Sequence, residues 1–184
     1  MRIACSCLTV LLVACSFGLS LADDDDHGRK RRRNHDGQRS SREHLGPVNN
    51  PVYKEVCGGC HFAYQPGLLP SGSWGKILAQ TDDHFGQQID VEEADKQAIA
   101  LYLQSNAAEY SGARCAQKII RSLGGQTPVR ITQTPYIRHK HEDDDIPPDA
   151  FQRKSVGSFS NCAACHKTAE QGIYNDDYVE IPRQ

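Results

Sequence analysis

Two five-residue units constrain this chain more than anything else in it: Cys57-Gly58-Gly59-Cys60-His61 and Cys162-Ala163-Ala164-Cys165-His166. A Cys-x-x-Cys-His unit is the pattern of c-type haem attachment, in which each thiol forms a thioether to one vinyl group and the adjacent histidine becomes the proximal iron ligand. The spacing suits that chemistry. One short turn must present both sulfurs to one edge of the macrocycle while the imidazole reaches the metal from its face. Gly58, Gly59, Ala163 and Ala164 are small, as befits residues pressed against a flat ring. Three other uses of paired cysteines compete. Exported chains usually commit cysteine to disulfides, a redox Cys-x-x-Cys wants a βαβ setting, and zinc needs further thiolates or histidines at comparable spacing. Two complete copies, each followed directly by histidine, favour attachment over all three.

A haem that only carries electrons is normally closed on its second face by methionine or histidine. The single methionine is Met1, at the start of the expected export signal, which leaves histidine. His27, His35 and His44 lie in a polar stretch with no apolar residues to seal a haem face. His84, in Asp82-Asp83-His84-Phe85-Gly86, follows the more apolar Trp74 to Leu78 and is a candidate distal ligand. His139 and His141 alternate with Arg138, Lys140 and Glu142, so an extended chain turns both to one side and either could ligate. Lys140 is a weaker candidate, because its amine must first lose a proton. Two irons each held by two imidazoles would be low-spin, lower in potential than a His/Met cytochrome, and without an open position for a substrate. That argues against an enzyme.

The N-terminus reads as an export signal. Met1 and Arg2 lead into an uncharged run from Ile3 to Leu21, which Asp23 to Asp26 end abruptly. Cleavage after Ala22 competes with a lipobox-like Leu12-Val13-Ala14-Cys15, which would leave Cys15 lipidated and the chain tethered to a membrane. Either places the body outside the cytoplasm. Residues 23–50 carry four aspartates and the basic run Arg29 to Arg33 with no helical or strand period, and are expected to be a disordered charged linker. The basic run could meet anionic lipid or an acidic partner, and nucleic acid is not an expected target on an exported chain.

The remaining residues, 51–184, form the expected domain. Asp90 with Glu93 resembles a capping box opening a helix from about Val91 to Ala107, with Ala94, Ala98, Leu101 and Tyr102 on its apolar face. Ser111 looks like the cap of a second helix, Gly112 to Leu123, closed by Gly124-Gly125, with Cys115, Ile119 and Ile120 on its apolar side. Cys115 is expected to be a small buried hydrophobe rather than a reactive thiol. Pro128 to Ile137 reads as an extended crossing, residues 142–145 with Pro147-Pro148 as an acidic loop, and a short helix from about Ser158 should carry the second motif. The tail, with Tyr174, Tyr178 and Ile181, is placed to cover a haem edge. Aromatic residues are only 7% of the 184-residue chain. Two porphyrins would supply the missing apolar bulk, so the expected fold is mainly α, with little regular sheet and the haems forming the core.

The chain resembles the bacterial diheme cytochrome c family in Tyr53-Lys54-Glu55-Val56-Cys57-Gly58-Gly59-Cys60-His61, Tyr64-Gln65-Pro66-Gly67-Leu68-Leu69-Pro70, Ser73-Trp74, Asp83-His84-Phe85-Gly86 and Asn161-Cys162-Ala163-Ala164-Cys165-His166. Cys-x-x-Cys-His alone is unspecific; the Tyr-Gln-Pro-Gly-Leu-Leu-Pro stretch is specific. The resemblance implies two covalent c-type haems with bis-histidine ligation in a periplasmic electron carrier. It implies distal ligation by His84 and by His141 rather than His139, and favours His84 with His61 and His141 with His166. Redox proteins would be its partners, such as a membrane cytochrome b or a small oxygen-binding haem protein. The rival readings are a haem enzyme and a ligand-binding sensor with one labile axial histidine.

Overall fold

A computed structural model of the chain describes residues 42–142 and 146–183. The expected signal at 1–22 with Cys15, the basic run at 29–33, His27, His35 and the acidic residues 143–145 lie outside the described residues. Among the described residues the protein is helical and has no strand, apart from isolated bridges joining His84 to Gln87 and His166 to Val179. Six α-helices follow in order: α1 Pro51–Cys57, α2 Ser71–Ala79, α3 Glu93–Ser105, α4 Arg114–Leu123, α5 Pro135–Lys140 and α6 Cys162–Cys165. Short 3₁₀ turns connect them. No described helix is long and apolar enough to cross a membrane.

Helix α1 begins where its sequence says it should. The Asn50 side chain accepts from the Tyr53 amide at 2.8 Å and Pro51 occupies the first turn, where a missing N–H costs nothing. It ends at Gly58, where the backbone leaves no room for a side chain. A Cβ there would drive into the Lys54 carbonyl oxygen.

Two apolar clusters hold the helices. Tyr53 of α1, Trp74 and Leu78 of α2, and Ile99 and Leu103 of α3 form the first, with Val48 and Leu69. The indole of Trp74 donates to the Pro66 carbonyl at 2.8 Å, so its one polar atom is satisfied inside the cluster. Ala116, Ile119 and Leu123 of α4 pack with Leu68, Ala108 and Ala113 in the second. Burying each such Leu or Ile stabilises the fold by about 1.5–3 kcal/mol.

Several sequence expectations need correction. No capping box forms at Asp90 and Glu93: α3 starts at Glu93 with Glu92 at its cap and no side-chain bond there. Its buried stripe is Ile99 and Leu103, whereas Leu101 is 70% exposed and Ala94 and Ala98 face water. Alanines carry little apolar area, so one Ile–Leu pair at i, i+4 decides which face turns inward. Helix α4 starts at Arg114 rather than Gly112, and Ser111 Oγ accepts from the Ala113 amide instead of capping the helix. It does close at Gly124, in the left-handed conformation that glycine adopts without penalty. The stretch 128–137 is not an extended crossing. Ile131–Gln133 is a 3₁₀ turn, and Pro135 opens α5 at its first position. The last residues of the expected linker also lie on the body: Val48 is buried, Leu45 packs beside the second cluster, and the Leu45 amide donates to Gly172 O at 3.0 Å.

Candidate functional site

The first motif begins at the C-terminal end of α1. Cys57 is half-buried, and burial pushes its thiol up to about 11. Cys60 and His61 are exposed. The His61 ring packs on Tyr64 with centroids 4.7 Å apart and planes 29° apart, and its Nδ1 meets the Phe62 carbonyl at 2.8 Å. His84 reaches the same place from a tight turn after the 3₁₀ segment Thr81–Asp83. In that turn His84 and Gln87 exchange backbone bonds of 2.7 and 3.2 Å, Asp83 Oδ1 accepts from the Gly86 amide at 2.8 Å, and Phe85 and Gly86 take positive φ. Positive φ is strained for Phe85. The Arg130 guanidinium, 3.9 Å over its ring, holds it in place. The rings of His61 and His84 face each other with centroids 6.4 Å apart and planes 24° apart. Burial, then His61 and Arg130, hold the His84 ring below the usual histidine range.

The second motif is helical from Cys162 to Cys165, as α6, and the His166 amide at its cap donates to Cys162 O at 2.8 Å. Burial raises both thiols, that of Cys162 to about 11. Opposite lies His141 at the C-terminus of α5, its Nδ1 meeting the Ile137 carbonyl at 2.7 Å. The rings of His141 and His166 have centroids 6.0 Å apart and planes 70° apart. Between them lies a cavity of about 350 Å³ with Ile119, Ile137, Phe151, Phe159 and Tyr174 in its walls. Burial is the main cause that lowers the His166 ring's affinity for a proton; His141 adds to it and Asp176 opposes it.

His139, two residues away, is exposed. Residues i and i+2 share a side in a strand but not on a helix, so α5 separates the two histidines that an extended chain would have aligned. The Lys140 amine donates to Asp176 Oδ2 at 3.0 Å. Cys115 is half-buried in the wall of the cavity, its thiol raised by burial.

The four cysteines of the motifs and Cys115 are all unpaired, and among the described residues no three His, Cys, Asp or Glu side chains converge to hold an ion by themselves. Two imidazole nitrogens, each about 2 Å from one shared metal ion, put their ring centroids about 6 Å apart. Both histidine pairs have that separation. Free thiols beside each pair, and an apolar cavity at the second, suit a flat apolar macrocycle with a metal at its centre.

Some neighbours carry no motif signal. Tyr64 lies inside the specific Tyr-Gln-Pro-Gly-Leu-Leu-Pro stretch, and that was its one trace in the sequence. Phe151 and Asp176 come from three-residue 3₁₀ turns and Phe159 from an irregular segment, too short for any periodicity to reveal their place. In the tail, Tyr174 packs 5.5 Å from His166 and Ile181 lines the cavity, whereas Tyr178 is 56% exposed.

Residues 53–174 match the family described as dihaem cytochrome c. The fold is similar to that of a diheme cytochrome c from Rhodobacter sphaeroides at 38% identity and a TM-score of 0.62, over 70% of this chain and 99% of that one. It is also similar to a diheme cytochrome c from Shewanella baltica at 36% identity and a TM-score of 0.59, over 73% of this chain and 94% of that one. Among curated proteins none matches the chain. The family carries two covalently bound c-type haems and serves electron transfer. On the match over residues 53–174 and the likeness to both solved structures, this chain belongs to the dihaem cytochrome c family.

Proposed function

We propose that the chain is a low-potential periplasmic electron carrier whose two haems are each held by two histidines. Cys57 and Cys60 attach the first haem, with His61 and His84 on its iron; Cys162 and Cys165 attach the second, with His166 and His141. The observation that carries this reading is the pairing itself: each motif histidine faces one other imidazole, at 6.4 and 6.0 Å between centroids. Each haem supplies a one-electron iron couple. The protein's part is to hold and orient it.

The backbone carbonyls of Phe62 and Ile137 occupy Nδ1 of His61 and His141, leaving Nε2 of each ring free for a metal. With imidazole on both faces, neither site keeps a position for a substrate, which favours a carrier over an enzyme. Low potential is expected because no methionine is available to favour the reduced iron. Redox partners would exchange electrons at an exposed haem edge. A membrane cytochrome b as donor and a small oxygen-binding haem protein as acceptor fit that role.

Optical and paramagnetic resonance spectra of the purified holoprotein test this. Two low-spin ferric haems per chain and no carbon monoxide uptake on reduction are expected. A high-spin ferric signal would defeat bis-histidine ligation and promote an enzyme, and carbon monoxide uptake by the native ferrous protein would promote a sensor.

A further inference from the structure

The two motifs are 105 residues apart in sequence, yet one dipeptide touches the surroundings of both. Tyr64 packs its ring on His61 at 4.7 Å while its hydroxyl donates to the Ser160 carbonyl at 2.8 Å, two residues before Cys162. Its own carbonyl accepts from the Tyr53 hydroxyl at 2.9 Å, which ties it to α1 and so to Cys57. Gln65 is 1% exposed and its amide is satisfied on both sides. Nε2 donates to the Ala169 carbonyl at 2.7 Å, in the turn that follows His166, and Oε1 accepts from the Tyr174 hydroxyl at 2.7 Å. Tyr174 in turn packs against His166.

A buried glutamine in so small a fold is costly unless its bonds define something. Three of these bonds cross from the first site's side of the molecule to the second's, over sequence separations of 96, 104 and 109 residues. We infer that Tyr64 and Gln65 are positioning residues that clamp the second haem site at a fixed distance and angle from the first. This inference rests on the ligation proposed above. A fixed spacing matters to a two-haem carrier because transfer between the centres falls steeply with their separation.

The test uses the haem-loaded full chain and its Tyr64→Phe and Gln65→Leu variants. Pulsed paramagnetic resonance measures the distance distribution between the two ferric irons, beside the low-spin spectra and the melting temperature. One narrow distance is expected in the native protein, and a broadened or displaced one in both variants while each haem stays low-spin. If the iron–iron distribution stays as narrow in Tyr64→Phe as in the native chain and only the melting temperature falls, the clamp is refuted and the residues are merely structural. A high-spin signal in the native chain would instead strike the ligation. Should Gln65→Leu fail to mature, Tyr64→Phe decides alone, since it removes one oxygen and keeps the ring on His61.

Discussion

At the scale of single residues, the surroundings of each imidazole separate the candidate distal ligands. His141 ends α5 with its Nδ1 on Ile137 O, beside Phe159 at 5.1 Å between centroids, while His139 points into solvent. Replacing a distal histidine by alanine should leave its haem five-coordinate and still attached through two thioethers. His84→Ala and His141→Ala are each expected to bind one carbon monoxide per chain in the reduced state, and His139→Ala none, as read from the ferrous optical spectrum. Uptake by His139→Ala, or none by His141→Ala, would reverse the assignment within α5. The two Cys-x-x-Cys-His units stand out in the sequence because their spacing suits one chemistry: two thiols and an imidazole must fit one macrocycle wherever the chain runs. His141 was not separable from His139 by pattern alone, since the choice depends on whether 135–140 is strand or helix, and a six-residue helix has too few turns to show a period.

At the level of elements, the two pairs are built on different supports. His84 stands on a strained turn and His141 on a helix end, and that difference fixes the angle between the rings in each pair, 24° at the first site and 70° at the second. Imidazole π orbitals interact with the two iron d orbitals that lie along the axis. Near-parallel rings both act on the same d orbital and split the pair, whereas near-perpendicular rings act on one each and leave them almost degenerate. The ferric protein should therefore show two distinct low-spin signals in equal amount: a rhombic three-line spectrum from the first site and a strongly anisotropic one, dominated by a single low-field feature, from the second. Two superimposable rhombic spectra would contradict the geometry. Sequence spoke less clearly about elements than about motifs. The end of α4 at Gly124 was readable from its glycine, but the inward face of α3 was not, because Ala94, Ala98 and Leu101 on one side competed with Ile99 and Leu103 on the other. Core packing broke that tie. Nor could composition place Leu45 and Val48 on the body, since their apolar partners are the cluster around α4 for Leu45 and the cluster of α1 to α3 for Val48.

Across the whole molecule the two sites differ most in their contact with water. The first pair stands beside the exposed Phe85 and Arg130, whereas His166 looks into an apolar cavity that Tyr174 and Ile181 help to wall. The tail fastens that wall: Glu180 N donates to Cys165 O at 3.0 Å, and Arg153 reaches the Pro182 carbonyl at 2.6 Å. Ferric iron carries one more positive charge than ferrous, and water stabilises it better than a low-dielectric cavity does. Solvation alone thus makes the first haem the lower in potential. Nearby charges pull the other way. Arg130 beside His84 opposes the ferric state at the first site, and Asp176 near His166 favours it at the second. Both effects are weakened, because Arg130 is exposed to solvent and Asp176 is already paired with Lys140 at 3.0 Å. Desolvation should therefore win. A redox titration followed by paramagnetic resonance is expected to resolve two midpoints, with the strongly anisotropic signal of the second site lost first as the potential is lowered. Arg130→Gln should move the rhombic signal to still lower potential and Asp176→Asn the anisotropic one to higher, each leaving its neighbour nearly in place. If the rhombic signal were lost first in the native protein, charge rather than burial would govern the order, and electrons entering at the exposed site would have to climb to reach the buried one.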